Sequence, residues 1–186
     1  EQKGITSEGC PIRYPRYMSI PGGLTWFQGI AMSQAVRRDF AEQYEGWQPD
    51  VIDGHFAYPD GYAATQLGKA VGVPVMVTCH GADLRLYPDI PIAGQMTRWM
   101  LRSADRVISV SSDLLKRSIE LGTPEKNAVF LQNGVDPEKF QLLAQLELRT
   151  RLGLPPTRKT ALQVAALIDR KDQSMPLQAP PTIRPR

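Results

Sequence analysis

Apolar residues along this chain fall into short continuous runs and longer helical stripes that alternate through its middle. The clearest run is Val75-Met76-Val77-Thr78, opened by Pro74 and stopped at the polar loop His80-Gly81-Ala82-Asp83. An apolar run of that length, bounded by Pro and Gly, predicts a parallel strand covered on both faces. Comparable runs occur at Asp50 to Phe56, Arg106 to Val110 and Asn127 to Leu131, the last closed by Asn133-Gly134. Between the runs the apolar spacing widens to that of helices. One is predicted from Pro59 to about Val71 with Gly72 after it, one from about Ala93 to Ser103, and one from Ser111 or Ser112 to near Gly122. Pro59 and Asp60 suit a first turn, and a serine cap followed by Asp113 does the same for the third helix. Upstream, Phe27, Ile30, Ala31, Ala35, Phe40 and Tyr44 mark a helix from Leu24 to about Tyr44. Residues 12 to 18 read as a short strand pushed to an edge by Pro15.

Strand and helix alternate four times, and the connections are too long for hairpins. The expected fold is therefore α/β, a doubly wound parallel sheet of Rossmann-like form with right-handed crossovers. Such sheets bind ligands just beyond the carboxyl ends of their strands. The chain has two histidines, and His55 and His80 both fall at such ends. Gly81 admits a sharp turn or a close backbone approach to a ligand. The alternative for His80 is a loop residue that merely caps the strand end.

Past Asp136-Pro137 the pattern loosens. A helix is expected from about Leu142 to Leu152, then a linker at Pro155-Pro156, then one more strand from Thr160 to Leu167. Pro176, Pro180, Pro181 and Pro185 crowd the end, which predicts a disordered tail. The domain reading is 1–140 as a Rossmann-like unit, 141–172 as linker and first strand of an incomplete second domain, and 173–186 as tail.

Composition and charge add to this picture. Of 186 residues, 42% are hydrophobic and 22% charged, ordinary for a globular chain. The net charge of +3 is unevenly spread: from Thr157 onward it is +4, and before it −1. A nucleic-acid-binding body would carry its basic face within the fold, so that class is excluded. No run is long and apolar enough to span a membrane, and no secretory leader pattern opens the chain. Cys10 and Cys79 lack metal-type spacing, which favours a reducing, cytoplasmic setting. The chain opens Glu-Gln-Lys without an initiator Met, as a fragment would.

Four stretches in order resemble the family-4 (group 1) glycosyltransferases, retaining enzymes of the two-domain GT-B architecture. They are Asp50-Val51-Ile52-Asp53-Gly54-His55-Phe56, Thr78-Cys79-His80-Gly81-Ala82-Asp83, Ala104-Asp105-Arg106-Val107-Ile108-Ser109-Val110-Ser111 and Gln132-Asn133-Gly134-Val135-Asp136-Pro137-Glu138-Lys139-Phe140. A fifth, Val164 to Lys171, is similar to the opening of the family's donor-binding domain. The resemblance implies transfer of a sugar from a nucleotide-sugar donor to a saccharide or lipid-linked acceptor, with no separate cofactor. It implies a cytoplasmic protein, with peripheral membrane contact left open.

By the same resemblance His80 is the catalytic residue, touching the donor sugar near the reacting carbon. An imidazole suits that task because it donates to a hydroxyl or answers developing charge at neutral pH. His55, Asp60, Gly61, Gly81, Asp83 and Asn133 are the expected substrate-binding set. Asp83 would fix the histidine's tautomer or its loop, or cap a helix. His55 with the turn Tyr58-Pro59-Asp60-Gly61 would offer free backbone N–H groups to an anionic acceptor. Asn133-Gly134 resembles the crossing between domains, or else is a plain tight turn. Lys171 matches the lysine that meets the donor phosphates. Ala165, Ala166 and Asp172 depart from the pattern around that lysine. The family's opening Gly-rich loop and its later Glu-x7-Glu pair are missing, so the isolated chain is expected to be a truncated and inactive piece.

Two other classes compete with the enzyme reading. One is a non-catalytic Rossmann-like binding or partner domain. The other is a metal-dependent hydrolase using Asp53, His55, Asp60, His80 and Asp83, against which two histidines are few for a two-metal site.

Overall fold

The four apolar runs form one parallel sheet. In a computed structural model the strands are β3 (Ile52–His55), β4 (Val75–Cys79), β5 (Arg106–Ser109) and β6 (Ala128–Phe130), lying side by side in sequence order. The residues described are 3–5, 9, 11–20, 24–43, 46–157, 160, 162–167, 172 and 174–175. Ile52 pairs with Val75, Val77 with Val107 and Val107 with Ala128, all in parallel register. Ahead of the sheet stand a small antiparallel pair, β1 (Lys3–Ile5) with β2 (Pro11–Arg13), and the long helix α1 (Thr25–Gln43).

Each crossover carries a helix, and all the crossovers step in the same direction. Right-handed connections of that kind place their helices on one face. These are α2 (Tyr62–Val71), α4 (Ala93–Ser103) and α5 (Ser112–Glu120), with the short α3 (Ala82–Arg85) opening the β4–α4 connection. Alternate strand residues turn toward them. Val75, Val77, Cys79 and Val107 are buried against Leu84, Met100, Leu101, Leu114 and Leu121, which form the core. The opposite face carries Asp53, His55, Met76, Ile108 and Val129, none of them fully buried.

Local chemistry fixes these elements. Gly72, at φ 72°, ends α2 in the left-handed conformation that glycine tolerates best. A side chain on Gly68 would run into Val75, so that glycine lets α2 lie close on β4. Ser111 caps α5 by accepting from the Leu114 N–H at 3.2 Å. Asp105 accepts the Val75 N–H at 2.9 Å and its own N–H reaches the Val75 carbonyl, which locks the start of β5 to β4. The Arg13 guanidinium meets the Asp39 carboxylate at 2.8 Å and ties β2 to α1.

Several expected boundaries move. α2 starts at Tyr62 instead of Pro59, because Ala57–Gly61 form a wide turn containing a cis Tyr58–Pro59 peptide. The strand expected over residues 12 to 18 is three residues long and finds its partner in Lys3–Ile5. Asn127 belongs to a 3-10 turn, Glu125–Asn127, that precedes β6.

The chain divides into Glu1–Gly134, holding the sheet, and Val135–Arg186. In the second unit, α6 (Gln145–Arg151) is shorter than the stripe from Leu142 to Leu152 suggests. The described residues between Thr160 and Leu167 form no strand. Among the described residues of this unit no strand offers a ladder to join, and pairing is what makes a strand. The expected tail lies almost wholly outside the described residues. Among the described residues no helix is long and apolar enough to cross a membrane.

Candidate functional site

The carboxyl ends of β3 and β4 bring the two histidines together. His55 is in register with Thr78, so His80, two residues further on, rises beside it. Nδ1 of His55 lies 2.9 Å from Nε2 of His80. The ring planes differ by 24° and the centroids are 5.2 Å apart, as in two imidazoles meeting edge to edge. Such a bond holds one proton: one nitrogen donates and the other accepts. On its far side, His55 Nε2 lies 3.4 Å from Asp53 Oδ2. Asp53 and His55 share a face because they stand two residues apart on a strand.

Phe56 completes the ring cluster at some backbone cost. Its φ of 74° and ψ of 128° are rare for a residue with a side chain, and such strain costs on the order of 1–3 kcal/mol. Its N–H donates to the Thr78 carbonyl at 2.9 Å, holding the backbone in that state. The ring then lies 5.5 Å from that of His80, tilted by 25°.

Beneath the rings, Asp83 is wholly buried. Its carboxylate accepts from the N–H groups of Ala57 at 2.9 Å, Gly81 at 2.7 Å and His80 at 3.2 Å. It thus binds the loop after β3 to the loop after β4. Of the roles the sequence left open for Asp83, the geometry fits the loop clamp, since its bonds go to backbone N–H groups. Gly81, at φ 123°, occupies a conformation that favours glycine, and space around it is open, since an added carbon would first meet Leu114 at 3.8 Å.

The turn after β3 corrects one expectation. The N–H groups of Ala57, Gly61 and Tyr62 are already bonded to Asp83, the Phe56 carbonyl, and the carbonyls of Ala57 and Pro59. They are not free for an anion. Gly61 is buried, and an added carbon there would sit 2.7 Å from the Phe56 carbonyl and from Val77. It supports the turn from within. Asp60 acts on Tyr17: burial pushes the Tyr17 hydroxyl up, and the Asp60 charge and Tyr87 add to it. Burial likewise holds Asp60 above the usual carboxylate range.

Asn133 is exposed, in a segment with no regular structure and no turn at Asn133-Gly134. Lys171 lies outside the described residues. No group of three or more metal-ligating side chains converges among the described residues. A cavity of about 490 Å³ lies between Arg16–Met18 and α1, lined by Phe27, Ala31 and Arg38, and contains neither histidine.

Sequence reasoning missed Phe56 and gave Asp53 only to a metal set. The period of two along β3 was signal enough for Asp53. Nothing in the sequence announces the backbone of Phe56.

Comparison with known proteins gives concordant results. The model of the family described as Glycosyltransferase Family 4 matches residues 6–139. A putative teichuronic acid biosynthesis glycosyltransferase, TuaC, from Bacillus subtilis is 30% identical over 168 residues. That alignment takes in 88% of this chain and 42% of the relative, so the chain spans less than half its length. An uncharacterized glycosyltransferase, MJ1178, from Methanocaldococcus jannaschii is 25% identical over 89 residues, 48% of this chain and 25% of that protein. The family match takes in the whole parallel sheet and both histidines, and the chain belongs to the family 4 glycosyltransferases.

Proposed function

We propose that this chain supplies the acceptor-side part of an enzyme that moves a sugar from a nucleotide-sugar donor to a saccharide or lipid-linked acceptor, with retention at the reacting carbon and His80 at the reacting centre. The observation that carries the reading is the pairing of His80 with His55 at adjacent carboxyl strand ends, where sheets of this kind bind ligands. Beside that pair, Phe56 presents a partly exposed ring against which the apolar face of a sugar can pack. The Asp83 clamp holds both loops in place before any substrate arrives, which is what positioned polar groups need to act on developing charge.

The relative named for teichuronic acid biosynthesis supports a saccharide acceptor. In the whole enzyme Lys171 would meet the donor phosphates and Asn133 would stand near the passage between domains. The setting that fits is cytoplasmic, with peripheral membrane contact where the acceptor is lipid-linked.

The test is His80→Ala in the full-length enzyme. Removing one preorganised polar contact to a transition state costs on the order of a hundredfold in kcat. Because the contact strengthens as charge develops, donor affinity by calorimetry changes much less. Unchanged turnover would remove His80 from the reacting centre.

A further inference from the structure

We infer that Asp53, His55 and His80 form a polarised chain that leaves Nδ1 of His80 as a bare acceptor, so that the site takes a hydroxyl donor there and Asp53 and His55 act as positioning residues. This rests on the reading of His80 as the ring that faces substrate. Asp53 Oδ2, 3.4 Å from Nε2 of His55, favours a proton on that nitrogen. A neutral His55 then has its lone pair on Nδ1. The single proton in the 2.9 Å contact must therefore sit on Nε2 of His80. A neutral His80 so protonated carries its lone pair on Nδ1, which has no hydrogen-bond partner among the described residues.

The backbone of His80 is held separately, by Asp83. Loop position and ring tautomer thus have different keepers. A ring set in this way accepts from an O–H group and repels the oxygen of a phosphate or carboxylate. The ligand atom at Nδ1 is accordingly a sugar or acceptor hydroxyl, and the anionic parts of the substrates lie elsewhere.

The test is nitrogen NMR of the ring atoms in the ¹⁵N-histidine-labelled chain, without substrate, at a pH where both imidazoles are neutral. The expected spectrum shows the bridging proton coupled directly to His80 Nε2 and, through the hydrogen bond, to His55 Nδ1. In His55→Ala and in Asp53→Ala the single His80 tautomer should become a mixture. Both changed side chains are largely exposed, so the variants fold, and the backbone amide spectrum verifies it. A bridging proton found on His55, or one His80 tautomer persisting unchanged in both variants, overturns the inference. The readout needs no turnover. An intact chain of couplings beside a fully active His80→Ala enzyme would discard the catalytic reading and keep the tautomer assignment; lost couplings beside an inactive variant would do the reverse.

Discussion

The hydroxyl of Tyr58 lies 3.0 Å from the amide nitrogen of Gly29, in the first turns of α1, and a carbon added to Gly29 would fall 2.6 Å from that same oxygen. The one Tyr58 O–H proton is shared between the carbonyls of Thr25 and Trp26, both at 2.9 Å, and the residue is fully buried. One aromatic residue therefore docks the long helix onto the turn that follows β3. Gly29→Ala should improve intrinsic helix propensity by about 1 kcal/mol. The clash opposes that gain, since overpacking against a buried ring costs about 1–3 kcal/mol. Urea unfolding should show net destabilisation. A more stable variant would mean that Tyr58 has room to withdraw.

Tyr58 also predicts an alkaline limit. Burial, with smaller help from Tyr62 and Tyr87, pushes its pKa up to about 12, against the lowering effect of its bond with Gly29. The folded state therefore holds this proton more tightly than the unfolded chain, whose tyrosines titrate near 10. Its contribution to stability is complete below about pH 10 and is lost as pH rises toward 12. Unfolding free energy measured across that range should fall in the wild type and fall less steeply in Tyr58→Phe. At neutral pH the same variant should lose about 1 kcal/mol from its missing hydrogen bonds. Parallel alkaline slopes in both proteins would exclude Tyr58 as the source.

Asp83 is the most consequential buried charge in the site. Asp83→Asn keeps the shape but faces backbone donors with a weaker, half-donating amide. Hydrogen bonds to a charged group are worth about 1.5–3 kcal/mol, and a loss on that scale is expected. Hydrogen exchange should locate the damage, with the amides of Ala57, His80 and Gly81 losing protection before those of β5. Uniform exchange across the sheet would contradict a local clamp.

Cys79 should be inert in the native state. It is fully buried at the end of β4, and burial with the nearby Asp83 charge pushes its thiol far above the ordinary range. The thiolate is the reactive form. In a Cys10→Ser background, a disulfide reagent at pH 8 should label the chain only as urea unfolds it. Prompt native labelling would show that the β4 end opens readily.

The sheet was legible in the sequence because its four strands are short, apolar and punctuated. Pro74, Gly72 and the serine pair mark ends that the structure keeps within a residue or two. The meeting of His55 and His80 followed from topology alone. What stayed hidden depends on contacts made across the chain. Gly29 reads as a weak point in a helix until Tyr58 is seen against it. Asp83 reads as a cap until Ala57, twenty-six residues upstream, turns its amide toward it. The run from Thr160 to Leu167 differs for the converse reason, since its apolar residues promise a strand and none pairs with it among the described residues.

Because one buried carboxylate accepts from amides of both loops, those loops form a single mechanical unit. A loop graft that brings His80 through Asp83 without Ala57 leaves a charge short of a donor; one that brings the Phe56 turn alone leaves the Ala57 amide unpaired. Reshaping this surface is thus constrained to proceed by paired exchange. The two histidines would then travel together, each carrying its partner's bond with it.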